Sequence, residues 1–316
     1  MKILEIQNLT VSFDTEKAVD DVSLVLNKGE VVGLVGESGC GKSLTALSVL
    51  KINPPNSKLS GKIIYKDIDL LSLDEKTIRD IRGNKISYIP QDPMSALNPV
   101  LTIGEQIKEV VEVHRGISKK DSFTESLNAL RSVQIPAPEK RINDYPHQFS
   151  GGMKQRALIA MALITEPDII LADEPTTALD VTIQIQILEI MKQIRKKGKT
   201  ILLITHDLAQ IQEICDRVYV MYLGKIVEHG SVKDILANPK HPYTIGLLNS
   251  LPDERKKTLT PIAGSPPSMH SIPSGCAFHP RCPHVFETCR KEIPQLYKIK
   301  DLQGHESRCF LEVGGV

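Results

Sequence analysis

No apolar run in this 316-residue chain approaches the ~18 residues that a membrane-spanning helix needs, so no segment reads as a span. An excess of one charge is also missing. Lysine and arginine total 39 against 38 acidic residues, a formal charge of +1, which removes the electrostatic case for a nucleic-acid partner. The N-terminus, Met1-Lys2-Ile3-Leu4-Glu5-Ile6-Gln7-Asn8, turns polar before the apolar core of a signal peptide can form, and a cytosolic protein is expected. Six cysteines in such a compartment are not expected to form disulfides. None of them is spaced Cys-x₂-Cys, the simplest zinc signature. No heptad pattern reaches coiled-coil length. The length leaves room for about two domains and a sizeable core.

The strongest positive signal is Gly36-Glu37-Ser38-Gly39-Cys40-Gly41-Lys42-Ser43. It follows the apolar run Val31–Val35, which reads as a buried parallel strand, and opens onto Leu44–Leu50, which reads as a helix. Strand, glycine-rich loop and helix together form a phosphate-binding loop. Glycines let backbone N–H groups converge on phosphate oxygens, and the helix N-terminus favours an anion. Lys42 can reach the β- and γ-phosphates, and the Ser43 hydroxyl can ligate Mg²⁺. Upstream, residues 1–35 alternate as strands do: Ile3, Leu4 and Ile6 begin one, and Leu9, Val11 and Phe13 continue it or begin its neighbour. Ala18 to Leu26 is a further strand with a bend at Asp20-Asp21. Phe13 reads equally as a core residue and as a ring that stacks on a nucleobase.

Further chemistry gathers at the ends of apolar segments. Lys85–Pro90 reads as a short strand ending at Gln91, whose amide oxygen can lie near Mg²⁺ or an attacking water. Residues 101–140 change to helical character: Ile103, Ile107, Val110, Val111 and Val113 fall near one face, and Ser122 to Val133 forms a second amphipathic helix. Ser150-Gly151-Gly152-Met153 then starts a helix. Ser150 suits an N-cap, while two glycines behind it weaken the helix and bare backbone N–H groups, as an anion site would require. Asp168–Pro175 is an apolar strand closing on two carboxylates: Asp173 can hold Mg²⁺ through water, and Glu174 can orient a water in line with a γ-phosphate. Thr200–Asp207 is another buried strand, ending at His206.

The phosphate loop, Gln91, Ser150–Met153, the Ile169–Glu174 strand, Ala178-Leu179-Asp180 and His206 occur in the order of an ABC ATPase, and the resemblance spans about residues 3–250. It implies an α/β P-loop NTPase, a RecA-like ABC core with a helical subdomain insert at about 92–156. It implies Walker A at 36–43, the Q-loop at Gln91, the signature at Ser150–Met153, and Walker B at 169–173. It also implies Glu174 as the catalytic glutamate, the D-loop at 178–180, His206 as the switch histidine and Phe13 as the adenine-stacking aromatic. Met153 departs from the common Ser-Gly-Gly-Gln, but the serine and glycines carry the phosphate contacts. In this family two nucleotide-binding chains pack head to tail. Lys42, Ser43, Gln91, Asp173, Glu174 and His206 of one chain then face Ser150–Gly152 of the other across ATP and Mg²⁺. The γ-phosphate supplies the differential affinity that such a switch requires.

Gln91–Pro99, Phe149–Arg156, Lys240–Thr244 and Gly275–Pro283 resemble more narrowly the dipeptide and oligopeptide importer ATPases, and within them the D-type subunit. That resemblance implies an F-type ATPase partner, two membrane permeases, an extracytoplasmic solute-binding protein and a peripheral place on the cytoplasmic face of the membrane. A nickel or metallophore importer ATPase is the nearer alternative, and a non-transport ABC ATPase the more distant one. Residues 1–255 are then the nucleotide-binding domain and 256–316 a cysteine-rich extension, with Pro261, Pro266, Pro267 and Pro273 marking an extended arm. Cys276, Cys282, Cys289 and Cys309 have five, six and nineteen residues between them. Four cytosolic thiols so placed read as metal ligands, and their loose spacing suits a cluster held from separate loops. Zinc stays open, with His279, His284 and His305 as conceivable substitute ligands. The resemblance implies a 4Fe–4S cluster whose role is structural.

Overall fold

The computed structural model describes residues 1–250 and 262–313. The expected boundary at 255 and Pro261 of the expected arm lie outside the described residues. In chain order the strands are β1 (Lys2–Phe13), β2 (Glu16–Asn27), β3 (Val31–Val35), β4 (Ser57–Tyr65), β5 (Ile68–Asp69), β6 (Ile86–Ile89), β7 (Ile169–Asp173), β8 (Thr200–Thr205), β9 (Arg217–Tyr222), β10 (Lys225–Ser231), β11 (Tyr297–Lys298) and β12 (Glu306–Ser307). The α-helices are α1 (Lys42–Val49), α2 (Glu75–Ile81), α3 (Pro93–Ala96), α4 (Ile103–Arg115), α5 (Lys119–Ser132), α6 (Pro138–Arg141), α7 (Gly151–Leu163), α8 (Val181–Lys196), α9 (Leu208–Ile214), α10 (Val232–Ala237), α11 (Pro242–Asn249) and α12 (Glu287–Lys291). The chain divides into two compact units. The first comprises the described residues of Met1–Asn27, Val31–Leu71 and Leu203–Val316, and the second Lys28–Glu30 and Ser72–Leu202.

In the first unit β1 and β2 pair as a long antiparallel hairpin, with Leu4 opposite Leu26 and Phe13 opposite Glu16. Leu4, Ile6, Leu9 and Val11 are buried, and so are Val19, Val22, Leu24 and Leu26. The alternation skips between Ile6 and Leu9 because Asn8 takes a left-handed conformation (φ 50°), as does Asp21 (φ 59°). The Asn8 amide donates to the Asp21 carboxylate at 2.7 Å and fastens this irregularity. Leu9, Val11 and Phe13 therefore continue the first strand, and the bend expected at Asp20-Asp21 is a bulge within a strand. β4 pairs with the other edge of β1.

The second sheet of this unit is mixed. All five residues of β3 are buried, as a parallel strand covered on both faces requires. β3 runs parallel to β9, with Val32 opposite Arg217 and Val35 opposite Val220. β9 turns through Gly224 into antiparallel β10. The C-terminal segment adds β12 to β10, with Glu228 opposite Ser307, and β11 to β12. Two-residue strands leave no periodicity in a sequence, which is why none was expected here. Glu228, fully buried, ties this edge together. Its carboxylate accepts from the N–H groups of Lys240 at 2.7 Å and His241 at 3.0 Å, and it bonds His305 Nε2 at 2.7 Å. Nε2 of His305, named from the sequence as a conceivable substitute ligand, is thus taken up by a buried carboxylate.

In the second unit β6 and β7 run parallel, with Ile86 opposite Ile169 and Ile89 opposite Ala172. A capping box starts α4: Thr102 Oγ1 accepts from Glu105 N–H at 3.2 Å, and the Glu105 carboxylate accepts from Thr102 N–H at 2.8 Å. Ile103, Ile107 and Val111 form its buried face. Val113, expected on that face, is 71% exposed, since two residues past Val111 is the opposite side of a helix. Ser118 caps α5 by accepting from Asp121 N–H at 3.2 Å, so this helix starts ahead of the expected Ser122. Packed against both, α7 sends Arg156 to the carbonyl oxygens of Val133 at 3.3 Å and Gln134 at 2.8 Å, and to the Gln186 carboxamide. β8 carries the chain from the second unit back to the first.

Replacing Glu228 by alanine strands two backbone N–H groups and a buried histidine. Breaking a buried pair from one side costs roughly 3–5 kcal/mol. Urea unfolding of Glu228→Ala is expected to show that loss, with faster amide exchange at Glu306 and Ser307. An unchanged midpoint would rule out Glu228 as the tie between the C-terminal segment and the sheet.

Candidate functional site

The residues singled out from the sequence are divided between the units. Phe13, the loop Gly36–Ser43, His206 and the four C-terminal cysteines belong to the first, and Gln91, Ser150–Gly152, Asp173 and Glu174 to the second.

In the first unit β3 ends where the chain must turn sharply. A Cβ at Gly36 would overlap the carbonyl oxygen of Met221 on β9, so only glycine passes here. Gly41 stands at φ 106°, where an L side chain is strained, and its carbonyl starts α1. The loop between them curls its carbonyls around Lys42, which is 4% exposed. The ammonium donates to Gly36 O at 2.7 Å and Glu37 O at 2.9 Å. Ser43 is half-buried on the first turn of α1, while Ser38 and Gly39 are exposed. Burial raises the Cys40 thiol above its ordinary range, so it fills space as a neutral group. Glu37 is held twice: its N–H donates to the Tyr243 hydroxyl at 2.9 Å, and its carboxylate takes Arg281 Nη1 at 2.8 Å and Nη2 at 3.0 Å. Phe13 is half-buried at the end of β1. His206 is exposed just after β8, and its neighbour Asp207 caps α9 by accepting from Ala209 N–H at 2.8 Å.

In the second unit β7 presents its two carboxylates one after the other. Asp173, 2% exposed, accepts from the Tyr88 hydroxyl at 2.8 Å. Burial, and then the Asp173 charge, push the Tyr88 phenol well above its usual range and keep it a donor. Glu174 follows at φ 44°, a left-handed conformation that costs a glutamate energy and is typical of functional positions. Its Oε2 accepts from Gln91 Nε2 at 3.0 Å and Thr177 Oγ1 at 2.8 Å. Gln91 is exposed and Glu174 is 8% exposed, so the amide covers the carboxylate from the solvent side. Ser150 caps α7, accepting from Met153 N–H at 3.3 Å. Gly151 is exposed, whereas a Cβ at Gly152 would come within 2.7 Å of Ile183. Close packing of α7 on α8 is thus a second reason for that glycine. Asp180 caps α8, accepting from Ile183 N–H at 3.0 Å.

Cys276, Cys282, Cys289 and Cys309 line one small cavity, with Phe286 and Phe310 beside them. Burial pushes the Cys276 thiol up to about 11 and the Cys309 thiol up to about 12, and neighbouring thiols of the set add to both shifts. The four thiols come from separate turns and share this cavity. Among the described residues, however, no three His, Cys, Asp or Glu side chains converge closely enough to hold a metal ion. His279 Nδ1 lies 3.0 Å from the Cys276 carbonyl oxygen, and His284 is exposed.

Tyr88, Thr177, Tyr243 and Arg281 were given no role from the sequence, although Tyr243 and Arg281 lie in the stretches Lys240–Thr244 and Gly275–Pro283. Tyr88 left a faint signal: a tyrosine inside an apolar strand needs a partner for its hydroxyl. The pairing of Arg281 with Glu37 left none, since the two are 244 positions apart.

A family model described as "ABC transporter" matches residues 19–177, and one described as "Oligopeptide/dipeptide transporter, C-terminal region" matches 227–289. The dipeptide transport ATP-binding protein DppD of Bacillus subtilis is 51% identical over 320 residues, covering 98% of this chain and 95% of that protein. The oligopeptide transport ATP-binding protein OppD of Salmonella typhimurium is 44% identical over 299 residues, covering 92% and 89%. Among solved structures, the dimeric post-hydrolysis state of an ATP-binding cassette bound to ADP and Pi superposes with a TM-score of 0.66 at 29% identity, covering 73% of this chain and 99% of the other.

Tyr88→Phe removes one donor from a buried carboxylate and is expected to cost about 1–3 kcal/mol of stability. Urea titration measures this directly. A midpoint matching the native chain would mean that Asp173 does not depend on Tyr88.

Proposed function

Starting from the fact that this chain belongs to the ABC transporter family, among its dipeptide and oligopeptide transport ATP-binding proteins, we propose that it binds and hydrolyses ATP to power an importer of di- or oligopeptides. The observation that carries the hydrolytic role is Glu174: a buried carboxylate at the end of β7, in a strained conformation, with one oxygen fixed by Gln91 and Thr177.

In this reading Glu174 is the general base that takes a proton from the attacking water. Gln91 and Thr177 orient it, and His206 acts beside the γ-phosphate. Lys42 supplies the charge opposite the β- and γ-phosphates, and the amides of Gly36, Glu37, Ser38, Gly39, Cys40 and Gly41 line them. Phe13 stacks on adenine. Ser43, Gln91 and, through water, Asp173 would hold Mg²⁺, which supplies charge neutralisation on the phosphates. Tyr88 keeps Asp173 in place for that purpose. Ser150, Gly151 and Gly152 serve the nucleotide of a second chain. That chain is an F-type ATPase subunit, and the pair docks on two permeases fed by a solute-binding protein, at the cytoplasmic face of the membrane. The nucleotide-binding domain is 1–255, with a helical subdomain at about 92–156, and 256–316 is the cysteine-rich extension.

In the transporter reconstituted with its partners, Glu174→Gln is expected to keep ATP binding and lower turnover by roughly 10²–10⁴. Lys42→Ala is expected to weaken ATP binding itself. Near-native turnover of Glu174→Gln would remove Glu174 as the base, and unchanged affinity in Lys42→Ala would remove the phosphate-loop assignment.

The same reading gives Cys276, Cys282, Cys289 and Cys309 a 4Fe–4S cluster, with zinc as the alternative. It is supported by four thiols around one cavity, in a segment whose buried apolar side chains, among the described residues, are Phe278, Cys289 and Ile299. The group would act as a cross-link for that segment. Protein purified without oxygen is expected to be brown, with about four irons per chain. The colour should be lost in Cys282→Ser. Colourless protein with one zinc per chain would replace the cluster by zinc.

A further inference from the structure

A carboxylate in a phosphate-binding loop is an electrostatic liability, since a triphosphate brought to the loop meets a like charge. Glu37 is such a residue, and it stands in the loop whose carbonyls hold Lys42. Its charge is met by Arg281 through two parallel bonds, Nη1 to Oε2 at 2.8 Å and Nη2 to Oε1 at 3.0 Å, the paired geometry that makes arginine–carboxylate contacts strong. The Arg281 side chain is 5% exposed. It is itself fixed: Nε donates to Ala263 O at 3.0 Å, and the guanidinium lies 5.9 Å from the ring centres of both Tyr222 and Phe278.

The loop backbone is held from the same side. The Tyr243 hydroxyl that accepts the Glu37 N–H belongs to a fully buried ring, whose centre is 4.7 Å from that of Tyr222 and 5.5 Å from that of Phe278. Both the side chain and the backbone of Glu37 are thus set by residues between 222 and 281. Glu37 O in turn receives the Lys42 ammonium at 2.9 Å. Arg281 sits within the Cys276–Cys282 stretch, next to Cys282, so the order of that stretch reaches the loop through one side chain.

We propose that the cysteine-bearing segment positions the phosphate loop for ATP, with Arg281 as the positioning residue that acts by neutralising and orienting Glu37. The proposal rests on the nucleotide-binding reading of the loop but not on which metal the cysteines hold. It differs from a purely structural role in one respect: removing the Glu37 charge should compensate for losing Arg281.

The test is Mg-ATP affinity of the full-length chain, measured calorimetrically. Arg281→Gln is expected to raise the Kd about tenfold, as an unneutralised charge near the phosphates would. Arg281→Lys should recover part of this, since lysine keeps the charge but not the fork. The double variant Arg281→Gln with Glu37→Gln should recover most of it. Glu37→Gln alone, useful if Arg281→Gln folds poorly, should bind about two- to threefold more tightly, because the positive charge is left unopposed. A Kd for Arg281→Gln within about twofold of native, alongside lost binding in Lys42→Ala, would sink the proposal and leave the nucleotide reading intact. A double variant as weak as Arg281→Gln, or weaker binding by Glu37→Gln alone, would likewise overturn charge neutralisation. Absence of ATP binding by the native chain would remove the reading on which the proposal rests.

Discussion

A buried ammonium is the constraint around which the first unit is arranged. Lys42 carries a full charge into a site that is almost closed to water, and an uncompensated charge there would be prohibitive. Compensation comes from carbonyl oxygens of the loop that Lys42 itself closes, those of Gly36 and Glu37. Carbonyls can converge in that way only if the chain turns back on itself within a few residues. The glycines at 36 and 41 are conditions of that turn: one avoids the Met221 carbonyl, and the other accepts a left-handed backbone. β3 must deliver the loop from a fixed place, which its parallel pairing with β9 provides.

The C-terminal segment extends this arrangement rather than standing apart from it. Glu228 gathers the N–H groups that open α11 together with His305 next to β12, so one buried carboxylate joins β10, α11 and the last strands. The following turns then place Phe278 against Tyr222 and Tyr243, and Tyr243 and Arg281 reach Glu37. Polar groups buried in this way contribute specificity of arrangement as much as stability, because each has one geometry in which its partners are satisfied.

In the second unit the same economy of parts appears at the end of β7. Its adjacent carboxylates are given different surroundings. Asp173 is buried under a tyrosine donor, and Glu174, also buried, follows in a left-handed backbone conformation and is held by an amide and a hydroxyl. Difference of environment is what lets neighbouring carboxylates serve different ends.

By itself the sequence determined the type and order of the main elements and the motifs at their ends. The phosphate loop, the strand closing on Asp173 and Glu174, the Ser150 cap and the polar residues after β6 and β8 are all local patterns, fixed by steric and hydrogen-bonding needs within a few residues. That is why Gly36–Ser43, Gln91, Ser150, Asp173, Glu174 and His206 could be singled out without coordinates. Only the tertiary structure decided which distant groups meet them. Tyr88 on Asp173, Gln91 on Glu174, His305 on Glu228 and Arg281 on Glu37 join positions 77 to 244 residues apart. The short strands β11 and β12, and the reason Gly152 has no side chain, also depend on neighbours elsewhere in the chain. Periodicity and capping leave a mark in a short window of sequence. Pairing across a fold leaves none, because its partners are selected by the packing of whole elements.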